Sequence, residues 1–514
     1  FSRASGGTAL SKISYGNDLV TNGTFDSDSG WTLNNSVISN GVVSANNGTR
    51  FLAQDAGLVT GTLYKVTFDY TQGTTHASGS IRVNTNAYNG AGTQHNSSTF
   101  YTMDSSGSLT FIIAAEDSYI SIEAAFATFH GTIDNVSVKE VLFDQADGTL
   151  QVFNHGNNIP RIEYDATGAV KGLLIEEART NLQVHSGDFS KSAWTKYAAT
   201  VDASYVAPDG SSTASKLLST ATGGTSGVYY NTGFIGTGKT LSCFMKAGSS
   251  GVYGWIEGIV GGTSPNAVFD LESGTVVRSR ECDASIESVG NGWFRCVVGN
   301  TTSSMNFFSV GGSDNADSSS PWDNSSLTQG KFIYAWGAQL ETGAFPTSYI
   351  PTTGAAATRA ADLAEIPTSA FGYNNDAGSI AVEFKSNKPS SLDYGAFVLS
   401  DGSPTNRIIH YANSQYHRGY VRNTSGTQAD INGGSRGAPS ELVKFAIGFS
   451  DNNFAASLNG ATAVTDTSVT IPSGLSKLAL GYFYPTQPQS NLINGHIKSI
   501  QYYPRRLTDT QLQE

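Results

Sequence analysis

Asn-Gly and Asp-Gly pairs recur along this 514-residue chain, and they constrain its fold more than any other feature. Examples begin at Asn22, Asn291 and Asn459. Such pairs supply the residues with positive φ that tight β-hairpin turns need. Between the pairs lie short runs in which apolar and polar residues alternate, such as 64–70 and 379–385. Many short alternating runs with turns of this kind predict an all-β chain built of sandwiches.

Helical periodicity is almost absent from the chain. Only residues 174–182 and 507–514 have a helix-like pattern, and in the second stretch Thr508 can start a turn. The length predicts two to four domains. Composition divides the chain into three blocks, 17–141, 142–365 and 366–514, preceded by an N-terminal segment, 1–16. We expect that segment to belong to the central domain or to an anchor.

Composition excludes several classes of protein. The 26 Phe, 23 Tyr and 6 Trp residues need a core, so the chain is not expected to be disordered. The net charge of −12 argues against nucleic acid as a partner, because phosphate binding needs clustered positive charge. No apolar run approaches the ~18 residues that a membrane-spanning helix needs. An odd count of three cysteines predicts no disulfide framework and a chain that folds reduced in a cytoplasm.

Several strings of residues resemble a family of bacteriophage tail, fibre and virion-surface proteins. They are the opening FSRAS at 1–5, PRIEYD at 160–165, GLLIEEARTNL at 172–182, WGAQLE at 336–341 and FPTSYIP at 345–351. In relatives of this type the first string is followed quickly by the second, whereas here a long segment separates them. The resemblance therefore implies that 17–141 is an inserted domain. Since the chain begins at Phe1 and shows no signal-peptide pattern, we also expect an upstream anchor that attaches it to other virion proteins.

The two outer blocks resemble two kinds of β-sandwich. The insert is similar to carbohydrate-binding jelly rolls through LVTNGTFD at 19–26, Trp31 and IDNVSV at 133–138. The last block is similar to concanavalin A-like, or laminin G-like, domains through GSIAVEF at 378–384 and GHIKSIQYYP at 495–504. The predicted fold is therefore all-β, with three β-sandwich or jelly-roll domains in series, the first inserted into the second.

A sugar site needs an exposed aromatic ring that stacks on a pyranose, with polar neighbours for the hydroxyl groups. Residues of this kind fall in the insert, in the polar loop at 311–330 and in the last block. The candidate glycan-binding residues are Tyr70, His76, Arg82, Tyr88, His95, Trp322, Tyr416 and Tyr420.

One run, 410–420, also has the residue types of a polysaccharide lyase. Arginine could neutralise a uronate while histidine or tyrosine acts as general base and acid. The catalytic candidates are His410, Tyr411, His417 and Arg418. The alternative interpretation of this run is a hairpin with exposed polar aromatic residues.

No cofactor is expected to be required, but the resemblance to carbohydrate-binding jelly rolls implies a possible structural Ca²⁺ ion. On that analogy the ligands would be Asp26, Asp134 and the carbonyl group of Thr24. The alternative is that these residues form an ordinary turn and cap.

The resemblance and the composition together predict a phage tail or head fibre or spike on the virion surface. Lectin-like domains would bind host cell-surface polysaccharide, and a homotrimer would provide avidity. Three alternatives stay open: a polysaccharide depolymerase, a purely structural decoration protein, and a secreted bacterial adhesin built of the same modules.

Overall fold

The computed structural model describes residues 1–46, 52–72, 79–85, 99–103, 106–125, 130–221, 224–259, 264–316, 326–482 and 491–514. These residues form β-strands and two short 3₁₀ helices, Thr368–Ala370 and Gln511–Gln513, with no α-helix among them. Within these ranges the structure contains no helix with the length and apolar character of a membrane span. The all-β prediction is confirmed.

The chain divides into two compact units. Lys12–Thr149 form one, and Phe1–Ser11 together with Leu150–Glu514 form the other. The predicted insert, 17–141, lies within the first unit. The strands of this unit are β1 (Gly7–Asp18), which starts before the unit, β2 (Thr32–Leu33), β3 (Ser36–Ser39), β4 (Val42–Asn46), β5 (Leu52–Asp55), β6 (Leu63–Gln72), β7 (Gly79–Asn84), β8 (Thr99–Met103), β9 (Gly107–Ala114), β10 (Tyr119–Ala125) and β11 (His130–Phe143).

The insert is a two-sheet sandwich. In one sheet β6 lies between β9 and β11, and β11 also pairs with β1 and β4. The other sheet has the order β2-β5-β10-β7-β8. Alternate side chains of both sheets meet in one core, which includes Phe68, Phe111, Ile120 and Ile133. This arrangement follows from strand geometry, because successive side chains point to opposite faces of a sheet.

The second unit contains two more sandwiches. Its first strands in chain order are β12 (Thr149–His155), β13 (Ile162–Tyr164), β14 (Val170–Ile175), β15 (Arg179–Asn181), β16 (Thr195–Tyr197), β17 (Ala199–Tyr205), β18 (Ala214–Ser219), β19 (Ser226–Ile235), β20 (Lys239–Ala247), β21 (Tyr253–Ile259), β22 (Asn266–Asp270), β23 (Thr275–Arg280), β24 (Asp283–Gly290), β25 (Trp293–Gly299), β26 (Met305–Ser313) and β27 (Phe332–Thr342). The central sandwich packs the sheet β16-β19-β26-β21-β22-β23 on the sheet β17-β18-β27-β20-β25-β24. Its three cysteines are free thiols, and Cys243 lies directly opposite Cys296 on β20 and β25.

The remaining strands are β28 (Ala357–Arg359), β29 (Ala364–Pro367), β30 (Ala377–Ser386), β31 (Tyr394–Ser400), β32 (Arg407–Ala412), β33 (Tyr416–Asn423), β34 (Gly426–Ser435), β35 (Val443–Ser450), β36 (Asn453–Leu458), β37 (Val464–Asp466), β38 (Lys477–Leu480) and β39 (Gly495–Tyr503). Strand β28 pairs with β15 in a separate two-stranded sheet, and the others build the C-terminal sandwich. One sheet has the order β29-β38-β31-β32-β33-β34 and the other β13-β14-β39-β30-β35-β36-β37. Phe384, Phe397, Phe445 and Ile447 are among the residues buried between them.

The Asn-Gly prediction is confirmed at individual turns. Asn291 and Gly292 both have positive φ, 53° and 77°, in the hairpin that joins β24 to β25. Asn459 and Gly460 repeat this pattern after β36, with φ of 50° and 77°. Asparagine and glycine tolerate this conformation with less strain than other residues, which is why these pairs mark the turns.

The GLLIEEARTNL string departs from the prediction in two ways. Residues 174–182 form no helix, because β14 ends at Ile175 and β15 covers Arg179–Asn181. The string was also assigned to the central domain, 142–365, but β14 pairs with β39 and so extends the C-terminal sandwich. Gly172 allows this contact, since a Cβ atom there would lie 2.4 Å from the carbonyl oxygen of Ile497.

Three of the resemblance strings, 1–5, 160–165 and 172–182, meet in a buried charge cluster, which we call the junction cluster. It consists of Arg3, Arg161, Glu176, Arg359 and Asp362, all at most 5 % exposed. The Asp362 carboxylate accepts hydrogen bonds from Arg3 and Arg161, and the Glu176 carboxylate lies 2.9 Å from the Arg161 guanidinium. The charges of Arg161 and Arg359 overcome the effect of burial and lower the pKa of Glu176 to about 2. These strings thus have a structural role, because the cluster joins the N-terminal segment to the chain around β13 and β14 of the C-terminal sandwich.

Candidate functional site

The run 410–420 lies on two adjacent strands, β32 and β33, of the C-terminal sandwich. The alternation of a β-strand divides its residues between two environments. His410, Ala412, His417 and Val421 point into the core, whereas the side chains of Tyr411, Tyr416, Arg418 and Tyr420 are partly exposed on the outer face. The four predicted catalytic residues therefore do not share one surface, because the two histidines and the pair Tyr411 and Arg418 lie on opposite faces of the sheet.

His410 and His417 are core residues, 0 % and 1 % exposed. The Nε2 atom of His410 lies 3.0 Å from Nδ1 of His417, and the two rings stack. The amide N–H of Ala396 donates to Nδ1 of His410, which places the proton of His410 on Nε2. Burial lowers the pKa of both histidines, that of His417 to about 4. The prediction of a histidine general base on the surface is wrong, because neither ring reaches a polymer.

The outward residues form a compact group, which we call the tyrosine–arginine patch: Tyr411, Arg418, Tyr420 and Asp430. Arg418 Nε donates to Asp430 Oδ1 at 2.7 Å, and the Tyr411 hydroxyl donates to the same carboxylate at 3.2 Å. The rings of Tyr411 and Tyr420 meet edge to face, 6.2 Å apart. Two aromatic rings held at right angles beside an ion pair offer stacking surface and hydrogen-bonding groups together.

The electrostatics of the patch favour binding over proton transfer. Burial and the Asp430 charge raise the pKa of Tyr411 to about 12, so its hydroxyl remains a hydrogen-bond donor at neutral pH. A general base near neutral pH would need the opposite shift. The hydrogen bond to Asp430 raises the pKa of Arg418, which stays a cation.

Asp430 was missed by the sequence analysis. It lies on β34 directly opposite Tyr420, and its neighbours Ala429 and Ile431 point into the core. The alternation in 428–432 would have placed it on the outer face, but the pairing with Tyr420 depends on the register between β33 and β34. Tyr416, which was predicted, lies on the same face two residues before Arg418.

The glycan candidates in the insert do not form a site in the described residues. Tyr70 is only 6 % exposed and packs in the core, so the prediction of a stacking surface there is wrong. Arg82 pairs with Glu123 on the adjacent strand at 2.6 Å. His76, Tyr88 and His95, and also Trp322 of the central domain, lie outside the described residues.

The predicted calcium ligands occupy ordinary turns. The Thr24 hydroxyl donates to Asp26 at 2.8 Å, and the Asp134 carboxylate accepts the amide N–H of Asn135 at 2.7 Å. Val136 N–H donates to the Gly23 carbonyl, so the two segments are adjacent, as the analogy requires. Both carboxylates already have protein donors, however, and the described residues contain no group of three His, Cys, Asp or Glu suited to a metal. These turns do not form a preformed coordination site for an ion, and the calcium ion stays a prediction.

A cleft of about 550 Å³ between the central and C-terminal sandwiches also contains acidic residues. Glu163 lies 2.6 Å from His496, and Lys171 bridges Glu163 and Glu287. Burial alone would raise the pKa of Glu163, but His496 and Lys171 lower it to about 2. Glu163 is therefore ionised at neutral pH and carries no proton, so it cannot serve as the general acid that glycoside cleavage needs.

Comparison with known proteins gives only distant similarity. No protein-family model and no curated protein matches the chain. The CBM40 module of the Ruminococcus gnavus IT-sialidase, solved bound to α2,3-sialyllactose, is 17 % identical, with a TM-score of 0.25 over 28 % of this chain and 85 % of that one. The CBM22 tandem of Paenibacillus barcinonensis Xyn10C is 11 % identical, with a TM-score of 0.21 over 64 % of this chain and 98 % of that one. Domains LG4-5 of the mouse laminin α1 chain are 10 % identical, with a TM-score of 0.23 over 68 % of this chain and 94 % of theirs. The sandwich architecture itself is seen directly in the sheets described above.

Proposed function

We propose that this protein is a phage virion-surface protein, a tail or head fibre or spike, that binds polysaccharide on the host cell. The observation that carries the proposal is the tyrosine–arginine patch on the outer face of β32–β34. Its two tyrosine rings can stack on pyranose faces, and Arg418 and Asp430 can bond sugar hydroxyl groups. The acidic, weakly charged composition supports a partner rich in neutral hydroxyl groups.

The virion role is supported by the resemblance strings of residues 1–5, 160–182 and 336–351. A fibre displays several copies of one chain, and a homotrimer would turn weak single-site binding into useful avidity. Other virion proteins would then be structural partners.

We propose binding without cleavage. The two histidines of 410–420 are buried, Tyr411 keeps its proton and Glu163 stays ionised. The first two states oppose acid–base catalysis at the groups that first suggested a depolymerase, and the third opposes it in the cleft between the sandwiches.

Replacing Tyr420 with alanine should weaken binding to host surface polysaccharide by at least about tenfold, because a central aromatic contact is lost. Size-exclusion chromatography with light scattering measures this as loss of co-elution with the polymer. Tyr197, on the central sandwich and 51 % exposed, provides a matched control: Tyr197→Ala should co-elute like the wild type.

Other outcomes of the same experiment would favour the alternatives. A fall in polymer mass on incubation with the wild type would establish a depolymerase. Absence of co-elution for the wild type would favour a decoration protein without a glycan site. The trace of the protein alone measures its mass in solution and so tests the proposed trimer.

A further inference from the structure

The second sheet of the C-terminal sandwich has a groove on its outer face, with a volume of about 450 Å³. It crosses β39, β30, β35 and β36, which are adjacent in the sheet. The tyrosine–arginine patch is on the other sheet, β29-β38-β31-β32-β33-β34. The groove is therefore a separate surface, and nothing in the proposed function uses it.

Strand register produces the groove. Gln501, Ala381, Ala446 and Ser457 lie directly opposite one another on the four strands, so they form one row across the sheet. Three of these four side chains are small, which makes the row a depression. Ser457, at the β36 end of the row, is buried and its hydroxyl donates to the Ala461 carbonyl, so the open part of the row crosses β39, β30 and β35. With strands about 4.8 Å apart, this part is roughly 10 Å long. That length accommodates a short oligosaccharide.

Taller side chains form the two walls. On one side the next row contains Ser499, Glu383 and Lys444, which also lie opposite one another. On the other side stands Tyr503, packed against Leu507 and Leu512 of the C-terminal segment. The aromatic wall and the flat floor together match the shape of a pyranose chain.

The charges of the groove are locally balanced. Glu383 lies 3.3 Å from Lys444 and 3.7 Å from Lys498, and the opposite wall contains both Arg505 and Glu514. The remaining polar groups are mostly neutral. The Tyr503 hydroxyl donates to Gln501 Oε1 at 2.7 Å. This hydrogen bond holds the side-chain amide of Gln501, with its two N–H donors, at the end of the row. Neutral amides and hydroxyl groups suit a neutral saccharide better than a uronate polymer.

We propose that this groove is a second saccharide site, which binds a neutral oligosaccharide independently of the tyrosine–arginine patch. One C-terminal sandwich would then hold two glycan segments, one on each sheet. Two sites on one rigid domain raise the effective concentration of the second binding event.

The test uses the full chain and neutral hexasaccharides of glucose, galactose, mannose and N-acetylglucosamine as probes, with binding measured by calorimetry or saturation-transfer NMR. We expect at least one probe to bind. Ala381→Trp fills the centre of the row and should weaken that binding at least about tenfold. Ala438→Trp, at an exposed loop position away from the groove, is the matched control and should bind like the wild type.

Gln501→Ala covers the case in which Ala381→Trp does not fold. Gln501 is exposed, so its replacement leaves the core intact, and loss of the amide should weaken binding about three- to tenfold. The groove proposal is overturned if no probe binds, or if a folded Ala381→Trp variant and Gln501→Ala both bind like the wild type.

The two sites can fail separately. If Tyr420→Ala loses the hexasaccharides while Ala381→Trp retains them, the patch accounts for all binding and the groove proposal is wrong. If Ala381→Trp loses them while Tyr420→Ala keeps full binding to host polysaccharide, the groove stands and the patch proposal is wrong.

Discussion

Replacing Asp362 with alanine is expected to lower the free energy of unfolding of the unit that contains it by about 3–5 kcal/mol. The Asp362 carboxylate is fully buried and accepts hydrogen bonds from Arg3, Arg161 and the amide N–H of Glu176. Its removal leaves Arg161 and Arg359 with Glu176 as a close carboxylate, and Arg3 loses the carboxylate with which it pairs. A buried charge that has lost its partner cannot recover its hydration, so the penalty is large.

An exposed ion pair provides the control for this prediction. Asp509, 49 % exposed, pairs with Arg506 at 2.6 Å. Asp509→Ala should cost only about 0–1 kcal/mol, because surface pairs are screened by water and salt. Chemical unfolding followed by circular dichroism, which reports on all of the sheets, measures both variants. Equal stability of Asp362→Ala and Asp509→Ala would contradict the role assigned to the junction cluster.

The local pattern of the sequence predicted the strands and turns well, because both depend on neighbouring residues. Alternation in 379–385 identified β30, and Asn291-Gly292 identified the turn before β25. The pairing of β14 with β39 could not be predicted in this way. It joins segments more than 300 residues apart, and no local pattern encodes that register.

The predicted helix at 174–182 failed for a related reason. Leucine, glutamate, alanine and arginine favour helices in isolation, but this preference is worth only tenths of a kcal/mol per residue. Pairing with β39 and burial of Glu176 among arginines outweigh it.

The candidate site was predicted in part. Tyr411, Arg418 and Tyr420 were identified by residue type, whereas His410 and His417 were placed on the wrong face. The alternation of side chains along a strand would have corrected this. His410 lies two residues after the apolar Ile408, so both side chains face the core, whereas the next residue, Tyr411, faces outwards. Asp430 joins the patch only through the register of β34.

Lowering the pH from 6.5 to 5 should destabilise the C-terminal sandwich by about 1.5 kcal/mol through the buried His417, with a further loss through its buried neighbour His410. In the unfolded chain each histidine takes up a proton near pH 6.5. In the folded chain burial opposes this, and His417 is protonated only near pH 4. The unfolded state therefore binds more protons between these values, so the stability present above pH 6.5 is lost as the pH falls. The facing nitrogens of the two rings, His410 Nε2 and His417 Nδ1, are 3.0 Å apart, and two charged rings at this distance would repel each other. Thermal unfolding at pH 7, 6 and 5 measures the effect.

His417→Gln, which keeps an acceptor for His410 but cannot titrate, should show a shallower pH dependence, whereas His185→Asn, in the central sandwich, should match the wild type. An unchanged melting temperature from pH 7 to 5 in the wild type would show that the two histidines are not held neutral in the core.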